Sequence, residues 1–265
     1  MWSRIEMMSG DIASAPILTY HSISNAPGPT SIPPAVFAAQ MDAVAESGVA
    51  VAGLDAIERW LEGKERFSRR TIAITFDDAF EDFAAAAFPI LKKRGFRATV
   101  FAPTARLGGA ENWSGANAAP RRLMDWATVR ALAAEGVDFG SHARTHPDLT
   151  TLGGAALEEE LSGSRRDLED QIGRAVRHFA PPYGRSNSAV REAIARHYSL
   201  SAGVRLGEAR HSSPIFDLPR IEMHYYRNIG LWRGFLEGRG GVYLQSRRAA
   251  RSIRNAAFRA FGQGA

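Results

Sequence analysis

Four short apolar runs of the 265-residue chain end in residue types that bind metals or transfer protons. These run ends are Tyr20-His21, Asp77-Asp78, His142 with His146 four residues later, and Pro181-Pro182-Tyr183. Two imidazoles and one carboxylate form a common three-ligand shell for a catalytic divalent metal, with positions left open for water and substrate. Adjacent residues on a strand point to opposite faces, so the two aspartates at a strand end can take different roles.

Each of these signals also has a purely structural interpretation. Asp77-Asp78 directly precedes a predicted helix, and a carboxylate there can cap the helix N-terminus. Histidines four apart can share one face of a helix, but a proline follows the second histidine and a strand-like run precedes the first, which predicts a loop. The segment is not the zinc metalloprotease motif, because Ala143 stands where that motif has glutamate.

The elements that would position these residues alternate along the chain. Apolar runs predict seven β-strands, at residues 16–21, 49–53, 71–78, 98–102, 137–142, 178–184 and 199–203. Helical patterns between them cover 36–47, 80–94, 126–135, 157–172 and 189–197. This alternation predicts parallel strands joined by right-handed crossovers, either in a closed or nearly closed β/α barrel or, as the alternative, in an open doubly wound sheet. In such barrels the working residues lie at the carboxyl ends of strands.

The composition excludes several classes of protein. With 45% hydrophobic and 23% charged residues the chain is typical of a globular domain, and no run of about 18 apolar residues could cross a membrane. The absence of cysteine excludes disulfide scaffolds, thiol nucleophiles and cysteine-ligated zinc. Glu6 and Asp11 fall where a secretory signal would have its apolar core, so we expect a cytoplasmic protein, at most bound to the inner membrane surface.

The basic excess lies at the C-terminus: the last 39 residues contain eight arginines and one acid, whereas residues 1–226 contain 25 cations and 27 acids. We therefore expect an N-terminal extension (1–15), a barrel domain (16–226) and a basic tail (227–265). Residues 242–261 have the pattern of a basic amphipathic helix, which can lie on an anionic membrane or pack on the barrel. No nucleic-acid recognition motif accompanies this charge, so nucleic acid is not an expected partner.

Three segments together resemble the motifs of the polysaccharide deacetylases with NodB homology. They are Thr75-Phe76-Asp77-Asp78, Ser141–Leu149 (SHARTHPDL) and Pro181-Pro182-Tyr183-Gly184, and their order, spacing and context agree over about residues 16–225. The resemblance implies a distorted (β/α)7 barrel and a metal-dependent hydrolase. Its implied substrate is an N-acetylated amino sugar in a polysaccharide or glycoconjugate, including a lipid-linked sugar, from which it removes acetyl groups.

The resemblance also implies roles for individual residues. Asp78, His142 and His146 would bind the divalent metal, usually zinc, with Co²⁺, Ni²⁺ or Mn²⁺ as alternatives. Asp77 would be the catalytic base, and the backbone N–H of Tyr183 would stabilise the oxyanion. Pro182 and Tyr183 belong to the third motif and are expected to bind substrate, together with Trp113 in the irregular loop at 107–122, whose ring can stack on a sugar.

Two departures from the family pattern concern the catalytic base. The glycine that usually follows the aspartate pair is Ala79, and the arginine that usually begins the third motif is Ala180. That arginine would position Asp77. Arg220 lies in a segment that resembles the leucine-proline-arginine stretch of one branch of the family, and we expect it to supply the missing charge; a solvated surface arginine is the alternative.

A third departure concerns the general acid, which in many members is a histidine in a late leucine-rich motif that this chain lacks. In the poly-β-1,6-N-acetylglucosamine deacetylase branch a histidine near the N-terminus resembles His21, and Ala180 is also closer to that branch. We therefore expect His21 to be the acid, since imidazole titrates near neutral pH; a structural histidine is the alternative. Two competing functions remain: a catalytically impaired carbohydrate-binding barrel, and a metal-dependent hydrolase of another small amide.

Overall fold

The computed structural model describes residues 11–113, 115–117 and 119–261, the last ten of these by their backbone alone. Its strands are β1 (Ile17–Tyr20), β2 (Ala50–Ala52), β3 (Thr71–Phe76), β4 (Thr99–Ala102), β5 (Asp138–Ser141), β6 (His178–Phe179), β7 (Leu200–Leu206) and β8 (Leu218–Glu222). Its α-helices are α1 (Pro34–Ser47), α2 (Leu54–Leu61), α3 (Phe88–Lys93), α4 (Trp126–Ala134), α5 (Gly154–Glu158), α6 (Ser164–Ile172), α7 (Ser188–Ala195), α8 (Ile229–Leu236) and α9 (Gly241–Phe261). Short π-helical segments, Phe83–Ala87 and Glu159–Gly163, precede α3 and α6.

Seven of the strands form a closed parallel barrel. The strand order is β1-β8-β7-β6-β5-β4-β3, and β1 also pairs with β3, which closes the ring. Because every pair within the strands is parallel, each connection must return along the outside, and helices occupy most of these returns. The (β/α)7 barrel expected from the sequence is therefore confirmed.

The identity of one barrel strand differs from the prediction. The predicted strand at 49–53 forms β2, which pairs only with the first half of β3 and lies outside the closed ring. Its place in the barrel is taken by β8, whose sequence LPRIE contains a proline and two charged residues and does not have an apolar strand pattern. A charged strand can be buried there because Asp77, which directly follows β3, neutralises Arg220.

The sixth predicted strand is shorter than its apolar run. Only His178 and Phe179 pair as β6, and Pro182 begins a 3₁₀ turn. Prolines have no N–H to donate to a strand ladder, so the two prolines end the strand and start the loop that carries Tyr183.

Helix α8 falls within the predicted basic tail but packs against the barrel domain. Trp232 is fully buried, and its indole N–H donates to the carbonyl of Gln40 in α1 at 3.0 Å. The first turns of α9 are also attached, because the Tyr243 hydroxyl donates to the carbonyl of Tyr225 at 2.7 Å and Leu244 is buried. No helix within the described ranges is both long and apolar enough to span a membrane.

At the amino ends of the strands, a buried ion pair joins α2 to β6. Glu58 accepts hydrogen bonds from His178 at 3.2 Å and from Arg177 at 2.9 Å. Burial by itself would raise the pKa of Glu58, but these partners lower it to about 2. His178 thus lies at the end of the barrel opposite His21, His142 and His146, and its contact with Glu58 is structural.

Candidate metal centre and active site

The carboxyl ends of the barrel strands bring together residues that are far apart in the sequence. His21 follows β1, Asp77 and Asp78 follow β3, and His142 follows β5. Parallel strands end at the same rim of a barrel, so these side chains converge there. All three candidate metal ligands, Asp78, His142 and His146, are buried.

The three candidate ligands offer their donor atoms to one point. One donor atom from each of Asp78, His142 and His146 lies within 4.8 Å of the other two. The Nε2 atoms of His142 and His146 are 3.4 Å and 3.2 Å from Oδ1 of Asp78. Burial alone would raise the pKa of Asp78, but the two imidazoles hold it well below its usual range. An anionic carboxylate flanked by two imidazole nitrogens is a donor set that suits a divalent cation such as Zn²⁺.

A backbone contact sets the orientation of the first histidine. Nδ1 of His142 lies 2.6 Å from the carbonyl oxygen of Ala180, which can only accept a hydrogen bond. Nδ1 must therefore carry a proton, which leaves Nε2 as the ring nitrogen that faces Asp78 and is placed to bind a metal. Ala180, which replaces the usual arginine, thus contributes to the site through its backbone rather than through its side chain.

Backbone strain is concentrated at this site. Five non-glycine residues of the described chain have a positive φ: Asp78 (71°), Ala79 (53°), Ala143 (61°), His146 (62°) and Tyr183 (58°). Each is a proposed site residue or the immediate neighbour of one. Left-handed backbone costs on the order of 1 kcal/mol for a side chain with a Cβ, so surrounding packing must hold it in place. The positive φ of Ala79 also explains why glycine is usual at that position.

Asp77 and Arg220 form a buried bidentate ion pair. Nη1 of Arg220 donates to Oδ1 of Asp77 and Nη2 donates to Oδ2, both at 2.7 Å. The guanidinium also donates through Nε to the carbonyl of Gly203 at 2.8 Å and through Nη1 to the Thr75 hydroxyl at 3.2 Å. The side chain of Arg220 is only 1% exposed, so the surface alternative considered from the sequence does not apply.

This ion pair determines the charge on Asp77. Burial alone would raise the pKa of Asp77, and the Arg220 guanidinium holds it below its ordinary value, so the side chain is a carboxylate at neutral pH. Each carboxylate oxygen has a second lone pair that the arginine does not use. Asp77 can therefore still accept a proton from a neighbouring water.

His21 also lies close to Asp77. Its Nε2 is 3.9 Å from Oδ2 of Asp77, and its side chain is 18% exposed. Its Nδ1 is buried and has no hydrogen-bond partner among the described residues. An imidazole at the edge of the site, close to the carboxylate but not bonded to it, is accessible to a bound substrate. Its predicted role as general acid remains a prediction.

Two aromatic side chains contact the second metal-ligand candidate. The ring of Trp113 stacks on His146 with centroids 4.1 Å apart, and the ring of Tyr183 meets it edge-on at 4.7 Å. Tyr183 belongs to the third motif, in which Pro182 is buried. Both aromatic side chains predicted to contact sugar thus lie at the site, and the contact with sugar stays a prediction.

The loop that carries Trp113 is anchored by a pair that the sequence patterns did not predict. The buried carboxylate of Glu111 accepts two hydrogen bonds from the Arg121 guanidinium at 2.7 Å each. The same guanidinium lies 4.1 Å above the ring of Phe80, which follows Asp78 and Ala79 in the chain. These contacts therefore fix the loop at 107–122 next to the site.

Glu222 is a second residue that sequence reasoning missed. It lies on β8 two positions after Arg220, so period-two geometry places both side chains on the same face of the strand. Burial raises the pKa of Glu222, and the nearby His21 partly opposes this effect. The Arg-x-Glu spacing predicts that Glu222 lies beside Arg220, but only if residues 218–222 are first recognised as a strand.

The comparisons with known proteins agree with this geometry. Residues 64–199, just over half of the chain, match the family model described as polysaccharide deacetylase. The chain belongs to the polysaccharide deacetylase family, whose members are deacetylating hydrolases. The matched segment contains Asp77, Asp78, His142, His146 and Tyr183, but not His21 or Arg220.

Individual relatives support the same assignment. The chain is 24% identical over 212 residues to YxkH of Bacillus subtilis (strain 168), which carries a provisional polysaccharide deacetylase name; the alignment covers 80% of this chain and 72% of YxkH. It is 32% identical over 115 residues to a chitin deacetylase of Colletotrichum lindemuthianum, covering 43% of this chain and 40% of that enzyme.

Solved structures show the same fold. PplD, a Streptococcus pyogenes deacetylase solved in complex with acetate, matches with a TM-score of 0.70 and 26% identity, covering 80% of this chain and 92% of that one. IcaB from Ammonifex degensii matches with a TM-score of 0.71 and 22% identity, covering 84% and 97%.

We predict that Asp78, His142 and His146 bind one divalent metal ion. His142→Ala should weaken zinc binding by about 100-fold or more, because it removes a ligand rather than an outer contact. Titration of the chelator-treated protein with Zn²⁺, followed by metal analysis of the dialysed chain, measures this. His211→Ala removes an exposed histidine outside the cluster and is the matched control. Equal zinc retention in both variants would refute the site.

Proposed function

We propose that the chain hydrolyses the acetamide of an N-acetylated amino sugar in a polysaccharide or glycoconjugate. The observation that carries this proposal is the Asp77 carboxylate, held by Arg220 and directly adjacent in sequence to Asp78 of the Asp78–His142–His146 cluster. A base beside a divalent-metal site is the arrangement that amide hydrolysis by an activated water requires.

The residues of the chain divide the reaction between them. A divalent metal at the cluster supplies Lewis acidity towards water and the acetyl carbonyl. Asp77 accepts the proton as the water oxygen bonds to the carbonyl carbon, and the backbone N–H of Tyr183 is the proposed donor to the developing oxyanion. His21 then donates a proton to the sugar nitrogen as the C–N bond breaks. The products are acetate and a free amino sugar.

Several observations support a sugar substrate. The family is named for polysaccharide deacetylation, and one curated relative is a chitin deacetylase. PplD, at 26% identity, has been solved with acetate, which is the product expected from this reaction. Trp113 and Tyr183 border His146 and offer rings of the type that stack on sugars. We propose zinc as the metal and the poly-N-acetylglucosamine deacetylase branch as the nearer one, since His21 and Ala180 resemble its pattern.

We predict that the zinc-loaded protein releases acetate from N-acetylglucosamine oligomers. Asp77→Asn should reduce kcat/KM by about 10²- to 10⁴-fold, because the amide cannot accept the water's proton, while zinc binding is retained. Coupled enzymatic detection of acetate measures the rate. Asp42→Asn changes an exposed aspartate of α1 and serves as the control.

The competing functions give different outcomes in the same assay. An impaired carbohydrate-binding barrel would bind the oligomers without releasing acetate in the presence of zinc or cobalt. A hydrolase of another amide would bind zinc and leave every N-acetyl sugar intact. Either result would refute the proposed function.

We predict that Arg220→Gln shifts the pH profile of activity. Arg220 lowers the pKa of Asp77, so its removal raises that pKa, and the base is then protonated at a higher pH. The acid limb of kcat/KM should move to higher pH, with activity at neutral pH about 100-fold lower. Arg196→Gln, an exposed arginine beyond α7, is the control. An unchanged acid limb in a folded, zinc-binding Arg220→Gln variant would contradict the positioning role.

We also propose that helix α9 allows peripheral contact with an anionic membrane, which would suit a cytoplasmic enzyme acting on a lipid-linked sugar. Arg247, Arg248 and Arg251 lie within two turns of this helix. Against this, Tyr243 and Leu244 already pack on the barrel, so the apolar face of its first turns is partly occupied.

We predict that vesicles with anionic lipid carry the full chain upward in a flotation gradient, and that removal of residues 242–265 abolishes this. Neutral vesicles are the control, since the attraction depends on the arginine charges. Equal flotation of the full and shortened chains would show that the helix only packs on the barrel.

A further inference from the structure

A groove of about 690 Å³ has a lining that contains none of the candidate site residues assigned above, although it includes their neighbours Gly184 and Pro219. Its walls come from the loop after Tyr183, from β7 and the following connection to β8, and from α9. Its polar lining includes Ser186, Arg205, Arg210, Ser213, Arg248 and Arg251. Its volume falls in the range of pockets that enclose small ligands.

The groove has an excess of positive charge. Four arginines line it, against the two carboxylates of Glu208 and Asp217. Glu208 forms an ion pair at 3.2 Å with Arg70, which does not line the groove. Asp217 lies 3.9 Å from Arg205, which does. Arg210, Arg248 and Arg251 have no carboxylate partner among the residues that the structure describes. Within the described part of the chain, three guanidiniums of the lining are therefore left to bind an anion.

One of these arginines is held in place by the backbone. Nε of Arg248 donates to the carbonyl of Leu206 at 2.7 Å. Its Nη2 lies so close to Gly207 that a Cβ at that position would overlap it. The glycine therefore lets the guanidinium lie against the chain, and the Nη donors form no hydrogen bond to the described residues. A guanidinium fixed in this way loses little freedom when it binds an anion.

The groove begins one residue after the active-site loop. Gly184, in its lining, directly follows Tyr183, and a Cβ at Gly184 would overlap the methyl groups of Val204 on β7. This close packing couples the loop that carries Tyr183 to the wall of the groove. The groove and Tyr183 thus share one loop, with Gly184 as the residue that joins them.

We propose that this arginine groove binds a phosphate group carried by the glycan substrate. Guanidiniums bind phosphate through paired, charge-assisted hydrogen bonds, and a phosphate monoester carries enough charge to balance more than one of them. The serine hydroxyls of the lining can donate to the remaining phosphate oxygens. The phosphate site is inferred from the residues of the groove alone. The assignment of that phosphate to the glycan substrate rests on the proposed deacetylase function.

Calorimetric titration with inorganic phosphate at low ionic strength tests the site without any need for activity. The double variant Arg210→Gln/Arg248→Gln should bind phosphate about 10-fold more weakly than the natural chain. Arg239→Gln/Arg247→Gln removes the same charge outside the groove and should leave the affinity within about two-fold. Equal weakening in both pairs, or no saturable binding by the natural chain, would overturn the site; melting curves check that each variant is folded.

A second arm identifies the source of the phosphate. KM for acetate release should be lower for N-acetylglucosamine oligomers with a terminal phosphate than for the neutral oligomers. In the Arg210→Gln/Arg248→Gln variant the KM for the phosphorylated oligomers should rise by about 10-fold, while the KM for the neutral oligomers stays unchanged. Equal KM values for the phosphorylated and neutral oligomers, in a protein that still binds inorganic phosphate, would overturn the assignment of the phosphate to the substrate. Tighter binding of glucuronate than of phosphate in the titration would overturn the choice of anion. Absence of acetate release from every sugar would refute the proposed function and leave the titration as the test of the groove.

Discussion

Two buried charges, those of Asp77 and Arg220, can exist in this barrel only because each neutralises the other. Burying either ion alone would cost several kcal/mol, and a bidentate pair with further hydrogen bonds to Gly203 and Thr75 offsets that cost. The pair joins β8 to the end of β3, two strands that lie on either side of β1. The same contact therefore fixes the position of the base, keeps it ionised and allows a charged strand to complete the ring.

The metal-ligand candidates depend on a different constraint, which is the conformation of the backbone. Asp78, His146 and Tyr183 all have a positive φ, and so do Ala79, next to Asp78, and Ala143, next to His142. Such conformations persist only where surrounding contacts hold them, and here the contacts include the Ala180 carbonyl on His142 and the Trp113 ring on His146. The strain at the rim of the barrel is thus part of what directs three donor atoms to one point.

Ala180 shows how a lost side chain can be replaced by a residue from another part of the fold. The guanidinium that the family pattern places in the third motif comes here from β8, while the backbone of Ala180 still orients His142. The family match covers residues 64–199 and so includes neither His21 nor Arg220. The substrate-facing chemistry proposed for this chain therefore combines a shared metal cluster with an acid and a positioning arginine from outside the matched segment.

The sequence by itself predicted parallel strands alternating with helices, most strand positions and the candidate metal-ligand set, because alternating apolar periods and short motifs are local signals; the closed barrel rather than an open sheet was decided by the pairing of β1 with β3. The sequence did not reveal β8, since a strand with proline, arginine and glutamate lacks an apolar pattern. It also did not reveal that β2 lies outside the ring, since the apolar run of β2 resembles those of the strands inside it. Only the tertiary structure decided that Arg220 is buried against Asp77, that Glu222 shares its face of β8, and that Arg248 reaches the groove beside Gly184. Arg220 and Asp77 are 143 positions apart in the sequence, and a charge becomes internal only when the fold brings its partner to it.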